Sequence, residues 1–189
     1  MNMLQNTPSR FSKYLRHPLL WILLLALALR LINITVRTLW YDEAFAVLFA
    51  EKGLSAMLYG TLTPVAGGAS DIHPLLYYST LHIWMSLFGQ NPFAVRFWSV
   101  ILGLFTIYLI YVVAGLLFDR RTALIAAFIT AIAPFHVQYS QEVRMYSLLG
   151  LLLLAATYCF LRAWFSAPAR RWWVLFGVFA ALAMYTQQL

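Results

Sequence analysis

Apolar runs close to twenty residues long recur along this 189-residue chain, and that pattern constrains the fold more than any other feature. The first, at about Pro18–Val36, reads "PLLWILLLALALRLINITV". Others follow at about Pro74–Phe88, Phe93–Phe118, Thr122–Tyr139, Ser147–Phe165 and Trp172–Tyr185. Each run is continuous rather than alternating, which selects helices over the strands of a membrane β-barrel. Charged residues make up only 10% of the chain, where a soluble domain carries about 25%. The fold class is therefore an all-α polytopic membrane protein.

The formal net charge is +7. The cations sit mostly in short connections between apolar runs, which fits membrane orientation and anionic lipid headgroups and gives no reason to invoke nucleic acid. Cys159 is the single cysteine, so neither an internal disulfide nor a cysteine metal cluster can form. Arg10, Lys13 and Arg16 precede the first run, and the reading is a cytoplasmic arm (1–17) followed by a retained signal-anchor helix. The positive-inside rule places that arm, "FDRRT" and "SAPARRW" on one side. Six crossings would violate it. Pro74–Phe88, about fifteen residues and roughly 22 Å as a helix, is too short for a hydrocarbon core of about 30 Å. It also carries a polar stripe of Ser79, His82 and Ser86, so it is expected to lie in the interface. About five spans remain in a module at 18–189. A long outer loop at 37–92 holds two interfacial helices, Glu43–Tyr59 and Pro74–Phe88, and a second outer loop covers 140–146. The expected location is the plasma (inner) membrane, N-terminus inside.

That topology puts two acid-bearing segments on the outer face. In "TLWYDEAFAV" Asp42 and Glu43 stand side by side, although the whole chain has only 6 acids. Asp42 reads either as a helix N-cap, with Glu43 favoured by the helix dipole, or as a general base on an acceptor hydroxyl. In "DIHP", Asp71 and His73 read either as a turn into a helix or, for His73, as a phosphate contact or a group that polarises a leaving group. "YSQEVRMYS" gathers Gln141, Glu142, Arg144 and Tyr146 at a membrane entrance, where ionisable groups without a role are rare; an interfacial belt is the plainer reading. Arg96 and Arg30 are further candidates to meet an anion, although Arg30 could simply snorkel.

Taken in order, "LALRLIN", "LWYDEA", "HPLLYY", "AVRFWS", "IAPFHVQYSQEVRMYSLL" and "MYTQ" resemble bacterial polytopic glycosyltransferases of the GT-C fold, relatives of the protein O-mannosyltransferases and lipid A aminoarabinose transferases. The resemblance runs over nearly the whole chain, although "HPLLYY" replaces the family's more usual His-Pro-Pro. It implies the N-terminal module, incomplete at its C-terminus, of an inverting enzyme that takes sugar from a polyprenyl phosphate on the outer face. The acceptor would be a protein or a lipid or glycan. By motif, Asp42, Glu43 and Glu142 resemble the catalytic acids. His73, Arg96, Arg144 and Tyr146 fall at phosphate- or substrate-proximal positions. The cofactor is open, with a divalent cation (Mg or Mn) on Asp42 and Glu142 as one option. A transporter component and a non-catalytic assembly fragment are the rival readings.

The topology has a direct check. Cysteines placed at Gly67 and Gln141 should react with an impermeant reagent from outside, and those at Asp119 and Ala167 only from the cytoplasm. Cytoplasmic labelling of Asn91→Cys would show instead that Pro74–Phe88 crosses.

Overall fold

The computed structural model of the chain describes residues 18–62, 74–165 and 170–187. Nine helices follow one another among these residues: α1 (Pro18–Leu31), α2 (Tyr41–Glu51), α3 (Leu54–Leu62), α4 (Leu75–Phe88), α5 (Pro92–Leu117), α6 (Arg120–Ile132), α7 (Pro134–Ser140), α8 (Tyr146–Phe165) and α9 (Arg170–Met184). With no strand among the described residues, the chain is an all-α polytopic membrane module. By length and composition α5, with 26 residues, and α8, with 20, can each cross a bilayer, and α6 with α7 forms a third, bent candidate. The apolar helix α1 has 14 residues, and α9, which opens on Arg170 and Arg171, has 15.

Local chemistry sets the boundaries. Asn91 caps α5 by accepting from the Ala94 N–H at 2.9 Å, and Pro92 takes the first helical position, where its missing N–H costs nothing. Asp119 caps α6, accepting from the Thr122 N–H at 2.8 Å and the Thr122 hydroxyl at 2.5 Å. Four expectations need correction. The run Thr122–Tyr139 is two helices, not one, bent by 62°. Pro134 brings no N–H to the ladder, so α6 stops and α7 starts there. The segment Glu43–Tyr59 is likewise two helices. Gly53, with φ of 83°, sits between them in a conformation that side chains resist. The first run leaves the helix at Leu31, and Asn33 adopts φ of 58°, a left-handed turn that asparagine tolerates after a helix end. Finally, α2 begins at Tyr41 with Trp40 as its N-cap, so Asp42 is not the cap.

Two cores hold the module. One gathers Phe49, Met57, Tyr77, Tyr78, Leu81, Val95, Leu102, Val143 and Leu148, joining α2, α3 and α4 to the starts of α5 and α8. In the other, Ala26 of α1 and Ala127 and Ala131 of α6 are fully buried with Ile107 of α5, small side chains that let the backbones approach. Facing outward are large apolar side chains such as Phe105, Ile125, Ile129 and Val174, as a lipid-facing surface requires. The polar stripe expected on α4 is partly turned inward: His82 Nδ1 lies 2.8 Å from the Ala50 carbonyl of α2.

Arg30 is completely buried among these helices. Its Nη1 donates to the Ala26 and Ala131 carbonyls at 2.9 and 3.1 Å, and its Nη2 to His136 Nδ1 at 2.7 Å. Arginine can only donate, so His136 must accept through an unprotonated Nδ1. The Ala131 carbonyl is available because the break at Pro134 interrupts the ladder of α6. Arg30 therefore does not snorkel; it ties α1 to both arms of the bend. Gly103 of α5 lets this happen. A Cβ there would run into the Ser140 hydroxyl and come within 3.4 Å of Arg30 Nε.

Gly103→Ala should therefore destabilise the module by about 1–3 kcal/mol through overpacking. Ser140→Ala in the same chain should restore part of the loss, read as the thermal midpoint in detergent. Independent, additive effects would show that the two positions do not share this contact.

Candidate active site

Consecutive helix residues point about 100° apart, and α2 uses this to separate its two acids. Glu43 turns inward and is 1% exposed, whereas the Asp42 side chain keeps 33% of its surface. The adjacency that suggested a catalytic pair thus gives two different environments.

Glu43 meets Arg96, in the first turns of α5, through two parallel hydrogen bonds. Arg96 Nη2 donates to Oε2 at 2.6 Å and Arg96 Nε to Oε1 at 3.0 Å. Oε1 also accepts from the Val143 N–H at 3.0 Å, and Oε2 from the Trp40 N–H at 3.3 Å. The other donors of Arg96 go to the carbonyls of Ile34 and Arg37 through Nη1, at 2.7 and 2.8 Å, and of Thr38 through Nη2, at 3.1 Å. A guanidinium has five N–H groups, and all five are spent within the protein. Glu43 and Arg96 are a structural clamp in this geometry, and Arg96 has no donor left for a phosphate.

The clamp places the 141–145 loop against α2. Arg144 Nη1 then lies 3.4 Å from Asp42 Oδ2, an ion pair between segments about a hundred residues apart in sequence. The distance is too long for a strong hydrogen bond, so the pair is loose. Arg144 packs over the Tyr146 ring at 5.6 Å from its centroid, and Tyr146 meets Tyr139 edge-on at 5.0 Å. The Arg144 side chain is only 12% exposed. Burial alone would disfavour its charge, but the Tyr146 hydroxyl and the Asp42 carboxylate outweigh that and hold its pKa above the ordinary value. Arg144 Nε is buried with no hydrogen-bond partner. Close by, the Tyr77 hydroxyl is fully buried in the field of Ser99, Glu43 and Arg144, and burial drives its pKa well upward, so it stays a neutral phenol.

The structure brings Asp42, Glu43, Arg96, Arg144 and Tyr146 together. Glu142 stands apart, with its carboxylate accepting from Gln138 Nε2 at 3.2 Å. His73 and Asp71 lie outside the described residues. No three His, Cys, Asp or Glu side chains converge among the described residues, and Asp42 faces a guanidinium where a divalent cation was one sequence reading. Sequence reasoning missed three contributors: the backbone N–H of Val143, the buried Tyr77 and the Arg30 partner His136. Only His136 carried a signal, as an ionisable residue in an apolar run.

Removing either half of the clamp should leave a buried charge without its partner. Glu43→Gln and Arg96→Met should each lower stability by about 3–5 kcal/mol, and the double variant by clearly less than the sum. Chemical unfolding of all four proteins in detergent measures the coupling; strict additivity would remove the clamp from the account.

No curated protein and no solved structure matches the chain. A family model described as dolichyl-phosphate-mannose-protein mannosyltransferase matches residues 72–189, which include Arg96, Glu142, Arg144 and Tyr146, while Asp42 and Glu43 precede the matched stretch. That is more than half of the sequence, and the all-α membrane architecture agrees with it. The chain belongs to the dolichyl-phosphate-mannose-protein mannosyltransferase family, a family of glycosyltransferases.

Proposed function

We propose that this module transfers a sugar from a polyprenyl-phosphate donor to a hydroxyl of a protein or a lipid or glycan acceptor, with inversion at the anomeric carbon, on the outer face of the membrane. The observation that carries the reading is the difference between the two arginines. Arg96 is saturated, whereas Arg144 has an unspent Nε and only a loose ion pair to Asp42. A phosphate offers Arg144 what Asp42 does not, short charge-assisted bonds to a planar fork.

The reaction is one displacement. Asp42 takes the proton of the acceptor hydroxyl, the acceptor oxygen bonds to the anomeric carbon, and the bond from that carbon to the phosphate oxygen breaks. The departing polyprenyl phosphate keeps the electron pair, and Arg144 stabilises its charge. At rest Arg144 holds Asp42. When the donor's phosphate takes over the guanidinium, the carboxylate is released to act as base, so donor binding precedes activation of the acceptor. Glu43 and Arg96 act as positioning residues in this scheme. Tyr146 orients Arg144 from its ring face, Glu142 helps to place the acceptor, and His73 borders the donor phosphate.

Asp42→Asn should cost about a hundredfold or more in turnover. Because the amide no longer competes for Arg144, donor affinity should be unchanged or improved. Arg144→Lys should weaken donor binding by about 1–3 kcal/mol, and Glu142→Gln should leave it nearly intact. Donor affinity and transfer, measured in nanodiscs with a radiolabelled polyprenyl-phosphate sugar, check all three. Normal turnover in Asp42→Asn, or wild-type donor affinity in Arg144→Lys, would overturn the assignment.

A further inference from the structure

Glu43 bonds both to Arg96 near the start of α5 and to the Val143 N–H just before α8, so these two long helices leave the site side by side. Their far ends meet the starts of α6 and α9. Arg120, Arg121, Arg162, Arg170 and Arg171 gather at this end, where the one described acid is Asp119. Asp119 is occupied as the cap of α6. Among the described residues none of these five arginines forms an ion pair, so no described acid supplies their counter-charge.

Within this basic end one place is built rather than diffuse. The guanidinium of Arg162, in the last turn of α8, and that of Arg171, in the first turn of α9, each lie 5.1 Å from the centroid of the Trp172 ring. Trp172 is itself held by Tyr158, edge-on at 5.8 Å. Arg162 Nε is buried without a hydrogen-bond partner, while Arg171 is exposed. Drawing two like charges to one indole is repulsive. The ring's quadrupole offsets part of that cost, and an anion between or beside the guanidiniums offsets the rest. The surrounding surface is apolar and aromatic: Trp164, Phe165 and Trp173 are exposed beside it, as at a membrane–water boundary.

We infer that Arg162, Arg171 and Trp172 form a headgroup site for an anionic phospholipid in the leaflet opposite Asp42, with the guanidiniums on the phosphate and the exposed aromatic side chains among the upper acyl carbons. Basic pockets between helices take lipid headgroups in this way. The site is separate from the proposed sugar transfer and does not depend on it.

The test is native mass spectrometry and thermal unfolding of the purified chain in neutral detergent, with phosphatidylglycerol, phosphatidylcholine or inorganic phosphate added. Wild type should retain phosphatidylglycerol and be stabilised by it, with little response to the other two. Arg162→Gln/Arg171→Gln should lose about fivefold in phosphatidylglycerol affinity for each arginine removed, while Arg120→Gln/Arg121→Gln should stay near wild type. If the double variant does not fold, the exposed Arg171→Gln alone carries the test and should lose about fivefold. Equal loss in the Arg120/Arg121 variant would reduce the site to diffuse charge. Equal binding of phosphatidylcholine, or equal stabilisation by inorganic phosphate, would overturn the anionic-lipid assignment. Wild-type phosphatidylglycerol affinity in Arg171→Gln would remove the site.

Discussion

The bond network between Glu43 and Arg96 is the constraint on which the outer end of the module depends. A carboxylate and a guanidinium that are both almost fully buried would be costly to desolvate if they formed a simple pair. Here the cost is offset by further bonds. Glu43 also accepts two backbone N–H groups, and Arg96 also donates to three carbonyls of the 34–38 turn. The turn after α1 has few ladder bonds of its own, so Arg96 supplies donors to carbonyls that would otherwise be unsatisfied. One pair of side chains thereby fixes the exit of α1, the start of α2, the first turns of α5 and the loop before α8.

The proposed function is linked to this clamp through position. Asp42 and Arg144 each neighbour a clamped residue, Glu43 in one case and Val143 in the other. Their separation is set by backbone, while the ion pair between them stays loose. A loose pair on a rigid frame suits the proposed exchange of one partner for a phosphate. The interaction is available without reorganising the fold, and it is weak enough to be displaced.

Much of the architecture was legible because it rests on one-dimensional patterns. Apolar runs gave the long helices α5 and α8. The misread points were those where the pattern ran on through a backbone fault. Residues 122–139 are apolar on both sides of Pro134, so the run concealed the bend, and Gly53 was hidden inside a segment with helical periodicity. At the site, sequence singled out Asp42, Arg96, Arg144 and Glu43. It could not divide them into a saturated clamp and an available pair, because the division depends on which donors are spent across separations of 53 and 100 residues. Rarity of charge in an apolar chain located the residues; only the contacts assigned them different work.

Gln141 adds one more consequence. Its side-chain amide donates to the carbonyls of Arg30 and Ile32, at 3.0 and 2.9 Å, closing the frayed end of α1 with a group from the loop that carries Arg144. That loop is thus stitched to α1 at Gln141 and to α2 at Val143, with no free hinge between the stitches. A lid motion of this loop would have to break both. In the proposed reaction, exchange of partners at Arg144 then needs only rotamer changes of one long, largely buried side chain, rather than the opening of a flap.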